Sequence, residues 1–125
     1  MDDDKKFQEW GAAADKLLKP ILKKSPKGGF VYAMWVRQFG ACKLGLTQKN
    51  PARRRRAVMQ GIPYEVGTMV CYGTLDAFRL EQMVHDEFDD VRLNGEWFRG
   101  KIKDFEPTIR RLRDLVNDEF LARNP

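Results

Sequence analysis

Histidine and cysteine are scarce in this 125-residue sequence, with one of the first, His85, and two of the second, Cys42 and Cys71. That excludes a zinc site assembled from the usual four nitrogen and sulfur ligands. Both cysteines fall inside apolar, strand-like runs, so they read as reduced core residues rather than a disulfide. No apolar run approaches the roughly eighteen residues that a membrane span needs, and no hydrophobic signal segment opens the chain. A cytoplasmic protein with no membrane partner is the expectation. There is no internal repeat or low-complexity tract, no zinc finger, and no spare helix of major-groove character, which leaves weak sequence preference or targeting by a partner for any nucleic-acid role.

What the chain does have is length enough for one domain with its own core, and an uneven distribution of charge. Residues 1–29 carry seven basic and five acidic groups, residues 30–75 seven and one, and residues 76–125 nine and twelve. The net +5 is therefore concentrated as +6 in the middle. Six surplus cations in that segment suit a polyanion, with phosphate as the natural target; a solvated basic face is the alternative that charge alone leaves open.

Met1 to Lys6 is polar, resembles part of a protease-tag sequence, and is set apart from the fold. From Phe7, apolar residues recur at Trp10, Ala14, Leu17, Leu18, Ile21 and Leu22, one stripe of a helix that Pro20 should end or kink. Residues 1–28 thus read as an accessory helix and linker. Gly29 to Thr47 then holds two β-branched and aromatic runs, Phe30 to Val36 and Ala41 to Leu46, around an Arg37-Gln38-Phe39-Gly40 turn, which predicts a hairpin. Tyr32 and Lys43, eleven residues apart, interrupt those runs at roughly the same level of the sheet. Asn50-Pro51 opens a helix running to Gly61, and its four consecutive arginines must spread around the cylinder, one or two toward the sheet. Val66 to Tyr72 predicts a third strand. Thr74 is placed as N-cap of a helix from Leu75 to about Phe88 whose buried stripe is Ala77, Leu80, Val84 and Phe88. On that helix Glu81 and His85 stand four apart, within reach of each other and of a shared pocket. Asp89 to Gly95 reads as a polar loop and Glu96-Trp97-Phe98 as a short extended or helix-initiating segment. Phe105, Ile109, Leu112, Leu115, Val116 and Leu121 trace a last amphipathic helix opened by Pro107, so 101–125 is assigned to a C-terminal helix packed on a 29–100 core.

Val31-Tyr32, then Lys43-Leu44-Gly45 with Thr47, Asn50-Pro51-x-x-Arg54, Leu80-Glu81-x-x-x-His85-x-x-Phe88 and Gly95-Glu96-Trp97-Phe98 together resemble the GIY-YIG nuclease superfamily. Within it they are most similar to the T5-phage open-reading-frame-172 branch, usually described as DNA-binding. The resemblance implies a small α/β (α+β) domain, a three-stranded antiparallel sheet flanked by helices, here extended by amphipathic helices at both ends. It also implies endonucleolytic hydrolysis or nicking of DNA with Mg²⁺ or Mn²⁺. Carried over by position, Tyr32 matches the first-motif tyrosine, Gly45 the second-motif glycine, Arg54 the helix arginine, His85 the branch's histidine, and Glu96 the metal-binding glutamate. Phe30 stands where the first motif has glycine, and Lys43 where the second has tyrosine.

Chemically, those five residues cover what phosphodiester hydrolysis needs, namely an activated water, neutralised charge on the non-bridging oxygens, and help for the leaving oxygen. Tyr32 is the expected general base, with the Lys43 ammonium either lowering a phenol pKa that is ordinarily about 10 or, if its own pKa drops, acting as a proton acceptor. Arg54 suits a bidentate phosphate clamp, Glu96 a hard cation, and His85 an orienting or proton-donating role. Lys49, Arg53, Arg55 and Arg56 are the expected backbone contacts. A DNA-binding module without useful catalysis is the second expectation. A protein of a phage or mobile-element nucleoprotein, pairing with itself or a partner through its terminal helices, is the third.

Overall fold

The computed structural model describes residues 2–125, with side chains from Glu9 onward. Met1 and the side chains of residues 2–8, that of Phe7 in the first stripe included, lie outside what is described, so the tag-like stretch set apart at Met1 to Lys6 is seen only as backbone, which is helical from Asp2 onward. Among the described residues, α1 (Asp2–Lys24) is followed by β1 (Gly29–Val36), β2 (Ala41–Thr47), α2 (Pro51–Gln60) and β3 (Met69–Thr74). The order continues with α3 (Ala77–Glu87), β4 (Arg92–Asn94), β5 (Trp97–Arg99) and α4 (Ile102–Arg123). No described helix is long and apolar enough to cross a membrane.

The strands form one five-stranded sheet in the order β3-β1-β2-β5-β4, with each neighbouring pair antiparallel. The expected three-stranded sheet is corrected here. The segment after α3 is no polar loop: it makes a second hairpin, Arg92–Asn94 with Trp97–Arg99, turned at Gly95 with φ of 55°. That positive φ suits glycine because it lacks the Cβ that clashes in the left-handed region.

Alternation along the strands sorts the core into two layers. Phe30, Tyr32, Met34 and Val36 face one side, where Tyr32, Met34 and Val36 pack with Val66 and Met69 beneath Trp10 of α1 and Val58 and Met59 of α2. Val31, Ala33, Cys42 and Leu44 face the other, against Leu80 and Val84 of α3 and Phe105, Ile109, Leu112 and Val116 of α4. Cys42 and Cys71 are free, and burial pushes both thiols up to about 12.

Helix ends depart from expectation for identifiable reasons. Thr74 is not the cap of α3; Asp76 is, its carboxylate accepting from Arg79 N at 3.1 Å. Thr74 instead ends β3 and donates its hydroxyl to Asn117 Oδ1 at 3.0 Å, while Leu75 N donates to the same oxygen at 2.9 Å. Pro20 lies inside α1, and Pro107 lies inside α4 rather than opening it. Leu17, Leu115 and Leu121 are exposed, so both terminal stripes are narrower than their periodicity suggests.

Asn117 is thus the clip between the end of β3 and α4. Replacing it with Ala leaves the Leu75 N–H and the Thr74 hydroxyl without their acceptor, a loss of about 1–3 kcal/mol. Urea unfolding of N117A should show a lower midpoint at unchanged m-value; an unaltered midpoint would remove the clip from the account.

Candidate functional site

The site grows out of the place where β5 stops. Strand β5 pairs with β2 only over Ala41, Cys42 and Lys43, leaving the β2 edge from Leu44 onward without a neighbouring strand. Leu44 N still donates to Glu96 O at 2.8 Å, which fixes Glu96 at the mouth of the gap. His85 Nε2 lies 2.7 Å from Leu44 O; since a carbonyl oxygen only accepts, this nitrogen carries the proton. Nδ1 is then the ring nitrogen that carries the lone pair. His85 does not use Nε2 on Glu81, as their spacing on the helix allowed. Its ring rests against Phe98 at 5.0 Å.

From the other face, β1 contributes Tyr32, which is fully buried and paired in register with Gly45. A Cβ on Gly45 would lie 2.7 Å from Tyr32 Cζ, closer still to its hydroxyl, and 3.1 Å from Glu96 Oε2. Any side chain there would push the phenol out, so the glycine permits Tyr32 and Glu96 to converge on one volume. Arg54, one turn into α2, donates Nε to the Tyr32 hydroxyl at 3.0 Å. Helix α2 is aimed by Asn50, whose side chain accepts from Ala52 N at 2.8 Å and donates to Asp15 of α1 at 3.0 Å.

Lys43 does not act on Tyr32 as expected. In the register it faces Met34, two pairs along from Tyr32 and Gly45, with Ala33 and Leu44 between. Its ammonium forms a 3.2 Å ion pair with Glu96 Oε2 and sits 5.5 Å from the centre of the Trp97 ring. The cation beside the phenol is Arg54. Burial nevertheless dominates, with the Glu96 and Glu81 charges adding to it, and Tyr32 is pushed up to about 12 against the pull of Arg54. At neutral pH the phenol keeps its proton.

Glu81 was read from the sequence only as a neighbour of His85, yet it belongs to the site. One ligand atom each of Glu81, His85 and Glu96 lie within 4.8 Å of one another. Burial, then the charge of Glu96 and a hydrogen bond with it, push the Glu81 carboxyl up to about 7, opposed by Arg54 and the Leu46 backbone. Two carboxylates this close hold a proton between them because both cannot ionise cheaply. Two carboxylates and an imidazole are also a fitting donor set for a divalent cation such as Mn²⁺ or Mg²⁺. The sequence signal for Glu81 was the four-residue step to His85 on one helix face.

The four arginines divide as helix geometry requires. Arg54 turns to the site, and Arg55 donates Nη2 to Val66 O at 3.0 Å, tying α2 to the loop before β3. Arg53, Arg56 and Lys49 are exposed.

Stability should carry the mark of the carboxylate pair. An unfolded glutamate titrates near 4.5 and the folded Glu81 near 7, so between those values the folded protein binds more protons. The contribution is fully present below about 4.5 and is lost as pH rises through about 7. Urea midpoints taken from pH 4 to pH 8 should therefore fall less steeply for Glu81→Gln than for the parent, and parallel curves would reject the assignment.

With the fold and site in view, comparison with known proteins gives one match, the T5orf172 domain, over residues 29–113. No curated protein and no solved structure matched. The matched stretch spans β1 through the first half of α4 and contains every residue of the site, and the T5orf172 domain suggests a nuclease or DNA-binding function. More than half of the sequence is covered, and the chain belongs to the T5orf172 domain family.

Proposed function

We propose that this protein is a Mg²⁺- or Mn²⁺-dependent DNA endonuclease of the GIY-YIG type. The observation that carries the reading is the convergence of Tyr32, Arg54, Glu81, His85 and Glu96 on the gap at the β2 edge. A structural cluster has no need to gather two carboxylates, a protonated phenol and a guanidinium beside an open sheet edge.

Glu81, Glu96 and His85 through Nδ1 would hold the cation, which supplies Lewis-acid neutralisation of charge developing on the scissile phosphate. Arg54 keeps Nε on Tyr32 and directs its terminal nitrogens, on an exposed residue, to the phosphate. Neutral Tyr32 orients the attacking water by hydrogen bonding instead of taking its proton. The proton acceptor is the Glu81–Glu96 pair, whose proton affinity burial raises and a bound cation would lower. Lys43 stands at the same mouth, and phosphate competes with Glu96 for its ammonium. Lys49, Arg53 and Arg56 provide the flanking contacts to DNA.

The Lys43–Glu96 ion pair supports a second reading. Because Lys43 already neutralises Glu96, the same surface could serve as a DNA-binding module in which no cation enters.

Conversion of supercoiled plasmid to nicked or linear form, with Mg²⁺ and Mn²⁺, separates the two. Cleavage lost by about 10²-fold or more in Glu96→Ala is expected for the endonuclease. DNA binding with no cleavage of any form would leave only the module. The pH profile tests the proton acceptor: activity should rise at or below about 7, because a cation on the pair lowers its proton affinity, whereas a rise only above about pH 9 would return the role to the Tyr32 phenolate.

A further inference from the structure

A row of aromatic rings leads away from the Glu96 carboxylate to the surface, and the hydrolytic chemistry does not use it. Trp97, the residue after Glu96, contacts the Phe39 ring edge-on at 5.2 Å and 89°. Phe39 in turn meets Tyr64 at 5.5 Å and 86°. The three rings come from different elements: the turn between β1 and β2, strand β5, and the loop between α2 and β3. Gly40, with φ of 59°, closes the β1–β2 turn behind Phe39. Phe39 and Tyr64 are 39% and 42% exposed. If these rings only covered the end of the sheet, smaller apolar side chains would do so with less surface left in water.

Cations border the row. The Lys43 ammonium lies 5.5 Å from the Trp97 centroid, Arg99 is two residues along β5 on the same face as Trp97, and Arg37 begins the turn that carries Phe39. Arg37 and Arg99 are both exposed. Aromatic faces flanked by arginine and lysine suit a nucleic-acid strand, with rings taking bases and cations taking phosphates. In a duplex the faces of the bases are already stacked on one another and only their edges are accessible. A ring can therefore stack only on a base that has left the helix.

We infer that Phe39, Tyr64 and Trp97 form a stacking ledge for an unpaired nucleobase next to the scissile phosphate, so that the substrate is DNA with a single-stranded or unstacked nucleotide at the cleavage position. The inference rests on the endonuclease reading of the same site and narrows it to a substrate class. The Lys43 ammonium lies 3.2 Å from Glu96 Oε2 and 5.5 Å from the centre of the Trp97 ring, which ties the inner end of the ledge to the carboxylates. A base on the ledge is thus about one nucleotide from the carboxylates. The ledge selects strand state and not sequence, since every base has a face to stack.

The test measures binding of the full chain by fluorescence anisotropy, with Ca²⁺ in place of the catalytic cation. The probes are a labelled single strand, the same strand carrying one abasic residue at successive positions, and its blunt duplex. The parent should bind the intact single strand about ten-fold tighter than the strand with the abasic residue at the stacked position. In Tyr64→Ala and Phe39→Ala the ratio of single-strand to duplex affinity should fall about ten-fold, and the abasic penalty should vanish. Tyr64→Leu and Phe39→Leu keep apolar cover; melting like the parent, they should lose the abasic penalty as well. Single-strand binding indifferent to the abasic residue would overturn the ledge while leaving the endonuclease reading intact. Leucine variants that retain the penalty would do the same. No affinity for either DNA form would overturn both.

Discussion

Both backbone groups of Leu44 face an edge with no full-length strand to satisfy them, and the two bonds they find instead determine the geometry of the site. Its N–H reaches Glu96 O and its carbonyl receives His85 Nε2. A buried backbone polar group left unpaired costs as much as a lost hydrogen bond, so neither contact is optional. Through one residue, the loop leading into β5 and the last turn of α3 are held in register with the hairpin. The Leu44 side chain meanwhile points away, into the layer formed with α3 and α4. The polar site and the apolar core are two faces of the same strand.

The charges around that anchor are close to balance. Arg54 and Lys43 oppose Glu81 and Glu96, and Tyr32 is neutral among them. Burial raises the proton affinity of both Tyr32 and Glu81, and neighbouring carboxylates reinforce it. Such an arrangement discriminates by charge: a cation relieves the carboxylates, and a phosphate can engage both basic groups. A second anion without a cation meets the unrelieved repulsion of Glu81 and Glu96.

Much of this was legible in the sequence, because the β1–β2 hairpin, α2 with its Asn50-Pro51 opening, and the inner stripe of α3 all depend on local periodicity and end signals. The β4–β5 ribbon was not. Its two arms are three residues each, β4 is wholly exposed, and so no alternation of apolar and polar residues exists to mark it. Pro20 and Pro107 read as breaks because a proline removes a helix hydrogen bond, but the packing of Leu18 on one side and Phe105 with Ile109 on the other outweighs that loss. Thr74 and Asp76 are both good caps, and the choice between them was made by Asn117, more than forty residues away. In the site, Tyr32, Arg54, His85 and Glu96 were picked out by the family resemblance, position by position. The partner of Tyr32 was not, since Lys43 lies two pairs along in the register and pairs with Glu96. Glu81 was in view beside His85, but its approach to Glu96 depends on the ribbon that periodicity missed.

The hydrogen bond from Arg55 to Val66 O makes the loop carrying Tyr64 a rider on helix α2. Arg54 and Arg55 are adjacent on one rigid rod, one gripping the phenol of the site and the other holding the chain two residues beyond Tyr64. Any rotation of that rod is transmitted to the aromatic surface without passing through the sheet. The helix works as a lever between the charged centre and its outer rim, with a backbone carbonyl as the far attachment.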